Sequence, residues 1–200
     1  SRHTDADRIN VLAYSAGAMI ASPGLAHAAD DAAASADPIR LRLGEVYYAA
    51  PDIDFPLFVD NLPRYEDQVR RVTVAVNRSD RALSCAQWRH RVSRAGRPNL
   101  AEIGPEETRW LVEASGREEL DVLSIRSEDL PGLPVDSHSF WYDHPWVSSD
   151  VLLKLRFHAP PPARGLDHNS TDIELAFWTF PADYPQRLPA VVRKLAAGQP

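Results

Sequence analysis

Four short runs of apolar and β-branched residues organise the first two thirds of this 200-residue sequence. Each has the length of a buried strand, and the stretches between them have helical spacing. The strand candidates are residues 9–14, 41–48, 72–77 and 120–125, and the helix candidates are 55–62, 82–95, 105–115 and 145–157. Strands that alternate with helices are joined by crossover connections, which make neighbouring strands parallel. The sequence therefore predicts an α/β fold with a mostly parallel sheet and helices on both faces.

Two proline-containing segments interrupt this alternation. The Pro23-Gly24 pair predicts the end or a kink of a helix that begins at Gly17, and we interpret the segment as a helix followed by a loose surface loop through residue 37. The run of three prolines at 160–162 predicts an extended connection. We therefore expect a main domain over residues 1–158, followed by a proline-rich linker and a C-terminal appendage over 159–200, with a further strand within 173–180.

The charge balance excludes some classes of protein. The formal net charge is −6, and a protein that binds nucleic acid through phosphates needs clustered Lys and Arg, so no nucleic-acid partner is expected. The arginines at 89, 91, 94 and 97 are interpreted as the solvated face of a helix. No apolar run reaches the roughly 18 residues of a membrane span. Cys85 is the only cysteine, which excludes an intrachain disulfide, and we expect its thiol to be buried in a helix.

The segment Ala13-Tyr14-Ser15-Ala16-Gly17 follows the first strand candidate directly and precedes a helix-compatible stretch. This is the setting of a nucleophile elbow, in which a serine lies on a strained turn between a strand and a helix. Small residues two positions before and after the serine let the two backbones pass closely. The pattern predicts Ser15 as a nucleophile and the Ala16 N–H as an oxyanion donor, against the alternative of an ordinary strand-to-helix turn.

A serine nucleophile needs a base, and the base needs a carboxylate that orients it. In α/β-hydrolases the chain order is serine, acid, histidine. Asp80 follows the third strand candidate and His138 follows the fourth. We predict Asp80 as the acid and His138 as the general base. Asp52, which follows the second strand candidate, is the alternative acid, although a turn around Pro51 explains it as well.

Metal binding is the main rival interpretation of His138. Asp136, His138, Asp143 and His144 form a dense cluster of candidate ligands. Hydrolytic zinc sites usually place two histidines on one helix face, and this spacing does not match that geometry. We therefore expect no metal and no organic cofactor.

Three of these segments together resemble a bacterial family of α/β-hydrolases of unknown function. The matching motifs are Ala50-Pro51-Asp52-Ile53-Asp54, Ser79-Asp80-Arg81-Ala82-Leu83 and Ser137-His138-Ser139-Phe140. The resemblance covers roughly residues 8–157 and implies the serine hydrolase fold with the triad of Ser15, Asp80 and His138. It also implies that this chain corresponds to the C-terminal half of that fold, so that the early strands and a second oxyanion donor are expected upstream.

The sequence thus predicts a serine hydrolase of the esterase or lipase type, which cleaves a small-molecule ester through an acyl-serine intermediate. The alternative is a noncatalytic domain, or an inactive fragment, that keeps the scaffold for binding or assembly. In either case the edge of the sheet near residues 9–14 is expected to be covered by a second copy of the chain or by the upstream half.

Overall fold

Six strands form one sheet in the computed structural model of the chain, which describes residues 6–34, 42–117 and 119–198. The order across the sheet is β1-β2-β3-β4-β6-β5. The strands are β1 (Ile9–Tyr14), β2 (Leu43–Ala49), β3 (Arg71–Val76), β4 (Leu120–Ser124), β5 (Asp167–Ser170) and β6 (Ala176–Thr179). All neighbouring pairs are parallel except β5 and β6, which are antiparallel.

Helices connect the parallel strands and cover both faces of the sheet. They are α1 (Ala18–Ala34), α2 (Phe55–Asn61), α3 (Arg81–His90), α4 (Pro105–Gly116), α5 (Phe140–Asp143), α6 (Pro145–Phe157) and α7 (Tyr184–Ala197). One apolar core lies between the sheet and α1, α2 and α4, and a second lies against α5, α6 and α7. The predicted α/β class, with a mostly parallel sheet and helices on both faces, is confirmed.

Helix α1 corrects the prediction that the Pro23-Gly24 pair ends the first helix. The helix continues through Pro23 to Ala34, and residues 35–37 of the predicted loop lie outside the described residues. Small side chains at 18, 22, 26 and 29 are buried at helical spacing, so packing against the sheet favours continuation. Pro23 has no N–H to donate to the Met19 carbonyl, so the helix continues without that one hydrogen bond.

Helix α3 is shorter than the predicted 82–95. Arg91 adopts the left-handed conformation, with φ 58°, and its N–H bonds to the Gln87 carbonyl, which ends the helix. The chain then leaves the helix, and Arg94 is only 1% exposed. The interpretation of Arg94 as part of a solvated helix face is therefore wrong. Cys85 is exposed on α3, so its predicted burial is wrong as well.

The last forty residues extend the same sheet. Strand β6 pairs with β4 through Leu123 and Trp178, and α7 packs near α6. The prolines at 161 and 162 begin a 3-10 turn, Pro161–Arg164, where an extended connection was predicted. The strand expected within 173–180 is β6. The division of the chain after residue 158 stays a prediction about domain organisation.

Strand β1 lies at one edge of the described sheet. Its apolar residues Ile9 and Leu12 are 38% and 37% exposed, whereas all seven residues of its neighbour β2 are buried. An open strand edge can pair with another chain. Its coverage by a second copy or by an upstream segment stays a prediction. Among the described residues no helix is both long and apolar enough to cross a membrane.

Candidate active site

Ser15 begins a 3-10 turn, Ser15–Gly17, at the carboxyl end of β1 and directly before α1. Its φ of 51° lies in the left-handed region, which costs a non-glycine residue about 1 kcal/mol or more. Such strain is found where the surroundings enforce it. The strand, the turn and the helix follow without a gap. Ser15 therefore lies on the strained strand-to-helix turn that the sequence predicted.

Asp80 lies at the N-cap of α3, just past the end of β3, and is fully buried. Its Oδ1 accepts a hydrogen bond of 2.9 Å from the Leu83 N–H, as expected of an N-cap aspartate. This bond fixes the rotamer of the carboxylate and leaves Oδ2 for a second partner. Local helix capping therefore orients the acid.

His138 connects the acid to the serine. Its Nδ1 lies 2.6 Å from Asp80 Oδ2, and its Nε2 lies 2.8 Å from Ser15 Oγ. Because a carboxylate only accepts hydrogen bonds, Nδ1 carries the proton, and Nε2 is left to accept from the serine hydroxyl. The histidine side chain is 21% exposed beside a fully buried carboxylate. The structure thus brings together the three residues that the sequence singled out, and Ala16 follows Ser15 at an exposed position of the turn.

Asn77 is a residue of this site that sequence reasoning missed. Its Nδ2 donates to the carbonyls of Val135 and Ser137, at 3.3 and 2.8 Å, and its Oδ1 accepts from the Ser79 N–H at 3.0 Å. One buried amide therefore ties the loop before His138 to the loop before Asp80. The sequence feature that could have identified Asn77 is its position as a polar residue at the end of a buried strand candidate.

Asp52, the alternative acid, has a different partner. Its Oδ1 lies 2.5 Å from Nε of Arg94, whose guanidinium also pairs with Asp54. The backbone N–H of Asp52 donates to the Ser15 carbonyl at 3.0 Å. Asp52 thus contacts the turn through its main chain, while Asp80 holds the position beside His138.

Aromatic rings surround one side of the histidine. The Tyr14 ring lies 5.2 Å from the His138 ring and 5.7 Å from that of Trp141, and Tyr142 meets Tyr14 edge-on. Burial, followed by the hydrogen bond with Tyr142, raises the pKa of Tyr14 to about 12. The Tyr14 phenol is therefore neutral at physiological pH and supports the imidazole by packing.

The four candidate metal ligands are not gathered around one point. Nε2 of His144 lies 3.2 Å from the Pro131 carbonyl, and Asp143 accepts a hydrogen bond from the Ser139 hydroxyl. His138 points to Ser15 and Asp80 instead. Over residues 6–34, 42–117 and 119–198, no group of three or more His, Cys, Asp or Glu side chains is arranged to hold a metal ion.

Comparison with known proteins supports the same fold. The model of a family described as alpha/beta hydrolase of unknown function (DUF900) matches residues 1–142. The chain belongs to this family. The match to this alpha/beta hydrolase family includes Ser15, Asp80 and His138 and ends within α5. No curated protein and no solved structure matches the chain.

Proposed function

We propose that the chain is a serine hydrolase that cleaves a carboxylic ester, with Ser15 as nucleophile, His138 as general base and Asp80 as the orienting acid. The observation that carries this proposal is the continuous chain of contacts from Ser15 Oγ to His138 Nε2, at 2.8 Å, and from His138 Nδ1 to Asp80 Oδ2, at 2.6 Å. Nucleophile and base within hydrogen-bond reach, with the base oriented by a third group, is the arrangement that activates a serine.

In the first half of the reaction, Ser15 Oγ attacks the carbonyl carbon of the ester while its proton passes to His138 Nε2. The carbonyl oxygen becomes an oxyanion, toward which the Ala16 N–H donates a hydrogen bond. The tetrahedral intermediate then collapses. The bond to the alcohol oxygen breaks, and His138 returns its proton to that oxygen, leaving an acyl-serine.

In the second half, His138 takes a proton from water, and the resulting hydroxide attacks the acyl carbon. The acyl-oxygen bond to Ser15 breaks, and Ser15 Oγ recovers the proton from His138 as the carboxylic acid leaves. Asp80 stays ionised throughout, holds the proton on Nδ1 and stabilises the positive charge on the imidazolium.

The proposal is tested by exposing the purified chain to a fluorophosphonate probe and measuring the adduct by intact mass. This probe requires an activated serine and no knowledge of the substrate. We expect one adduct on the wild-type chain and none on Ser15→Ala. The matched control is Ser139→Ala, which removes a hydroxyl one residue from His138 and should label like the wild type.

Two results would contradict the proposal. One is a folded wild-type chain that takes no label, which would favour the alternative of a domain that keeps the hydrolase scaffold for binding. The other is label that persists on Ser15→Ala, because the reactive group would then be elsewhere. Hydrolysis of p-nitrophenyl acetate by the same variants distinguishes turnover from a single labelling event.

A further inference from the structure

The peptide group between Ser15 and Ala16 has two functions at once. Its N–H, on Ala16, is the oxyanion donor of the proposed reaction. Its carbonyl, on Ser15, accepts hydrogen bonds from the N–H groups of Ala18 and Asp52. Because the peptide unit is planar and rigid, fixing the direction of the C=O also fixes the direction of the N–H.

The two bonds to this carbonyl have different origins. The bond from Ala18 lies within the turn that leads into α1, so it forms with that turn. The bond from Asp52, at 3.0 Å, comes from the loop after β2 and links two neighbouring strand ends. The direction of the Ala16 N–H therefore depends on where the Asp52 loop is held.

Arg94 holds that loop. Its Nε lies 2.5 Å from Asp52 Oδ1, and a second nitrogen of the same guanidinium pairs with Asp54. The Arg94 side chain is 1% exposed, whereas Asp52 and Asp54 are 23% and 45% exposed. The planar guanidinium fork can bind two carboxylates in a fixed geometry, which the point charge of a lysine cannot reproduce.

The backbone around Arg94 reinforces this contact. Segment 93–96 exchanges three backbone hydrogen bonds of 2.9 Å with residues 51–55. A Cβ on Gly96 would lie 2.8 Å from the backbone of Ala50 and Pro51, so the two segments approach as closely as only a glycine allows. Ala50 itself has φ 44°. The loop after β2 is thus held in one strained conformation by segment 93–96.

We propose that Arg94 is a positioning residue for the oxyanion donor. It acts through Asp52, whose N–H orients the Ser15–Ala16 peptide, and it touches neither the substrate nor His138. This inference rests on the proposed function, since it concerns the donor of that reaction. It predicts that loosening Arg94 or Asp52 weakens transition-state stabilisation and leaves KM and the pH dependence of kcat/KM unchanged.

The test measures kcat, KM and the pH dependence of kcat/KM with p-nitrophenyl acetate on Asp52→Ala and Arg94→Lys. Loss of a whole oxyanion donor costs about 100-fold to 1000-fold in kcat, so a misdirected donor should cost about 10-fold to 100-fold. KM should stay within about twofold, and the pH midpoint should not move. The matched control is Arg97→Lys, the same substitution three residues away at an arginine that contacts Arg78 and Gln87.

Each outcome decides the matter. A wild-type kcat in a folded Asp52→Ala chain would overturn the inference, even if Arg94→Lys fails to fold. A shifted pH midpoint would also overturn it, because the pair would then act on His138. An equal loss of kcat in Arg97→Lys would mean that any loosening of this segment lowers activity, and it would also overturn the inference. A wild-type chain that labels no serine overturns the proposed function first, and this inference with it.

Discussion

Two groups of charged residues lie toward opposite ends of the parallel strands, and they differ in exposure and in pairing. At the carboxyl ends, a buried Asp80 faces a partly exposed His138 and the Ser15 hydroxyl. Toward the amino ends, Glu45, Asp121 and Lys154 are almost completely buried, and the Lys154 ammonium pairs with both carboxylates. The first group has a histidine that solvent can reach, and the second is enclosed.

The enclosed group continues from α6 toward the C-terminal region. Lys154 Nζ lies 2.9 Å from Glu45 and 3.2 Å from Asp121, and Arg164 pairs with Asp150 at 2.8 Å and with Asp121 at 3.4 Å. Burial lowers the pKa of Lys154 and raises that of Asp150 to about 6. Charges that are buried and paired can hold α6 on the sheet, whereas the proposed proton transfer requires a histidine that substrate can approach.

The variant Asp80→Asn should change activity most, while leaving stability almost unchanged. Asp80→Asn keeps an N-cap acceptor for the Leu83 N–H, so the free energy of unfolding should change by less than about 1 kcal/mol. The asparagine favours the wrong imidazole tautomer, and kcat should fall about 10,000-fold, or about 5 kcal/mol in activation free energy. Ester hydrolysis and urea unfolding on one sample measure both quantities. A kcat near the wild-type value would exclude Asp80 as the acid.

The next variant, Lys154→Met, removes a cation of the enclosed group and should lower stability without changing the candidate active site. Lys154→Met leaves Glu45 and Asp121 buried without this cation, and we expect a loss of about 3–5 kcal/mol in the free energy of unfolding. The control is Lys194→Met, at the only other lysine, which is exposed on α7 and should not change stability measurably. Urea denaturation measures both variants. Equal stability of the two would mean that the enclosed pairs contribute little.

A third effect concerns the pH dependence of the enclosed group. Because the pKa of Asp150 is raised to about 6 in the folded protein, from 3.8, the folded state binds more protons than the unfolded chain between about pH 4 and 6. The contribution of Asp150 to the free energy of unfolding therefore falls as pH rises through this window, by roughly 3 kcal/mol, and is constant above it.

The measurement is urea unfolding of wild type and Asp150→Asn between pH 4 and 8. The difference between the two curves isolates this carboxyl from the other acids. The wild-type chain should lose stability relative to the variant as pH rises to about 6. A difference that is flat across this window would contradict the raised pKa.

The smallest change should come from Asn77→Ala, which should lower both the free energy of unfolding and the activity. Asn77→Ala removes three hydrogen bonds that link the Asp80 and His138 loops, and it should lower the free energy of unfolding by about 1–3 kcal/mol. Activity should fall in the same variant, because His138 is no longer held. The control Asn99→Ala alters an exposed turn, and an equal fall in activity there would contradict a role for Asn77.

Much of the fold follows from local pattern. The alternation of apolar runs predicted β1 and α6 with their observed bounds, because strand and helix periodicities are local properties. The end of α3 and the continuation of α1 through Pro23 were mispredicted. Helix α3 ends where Arg91 adopts the left-handed conformation, and α1 continues because its small side chains pack on the sheet. Local propensity does not include that packing.

Local pattern was enough to identify the candidate site residues, because a serine after an apolar strand is followed by acid and histidine residues after later strands in one chain order. The folded arrangement was needed to show that Asp80, rather than Asp52, lies beside His138, and that Arg94 is buried against Asp52. The physical reason is distance. Both acids follow strands of one sheet, and which carboxylate meets His138 depends on contacts between residues 58 positions apart, which local pattern does not encode.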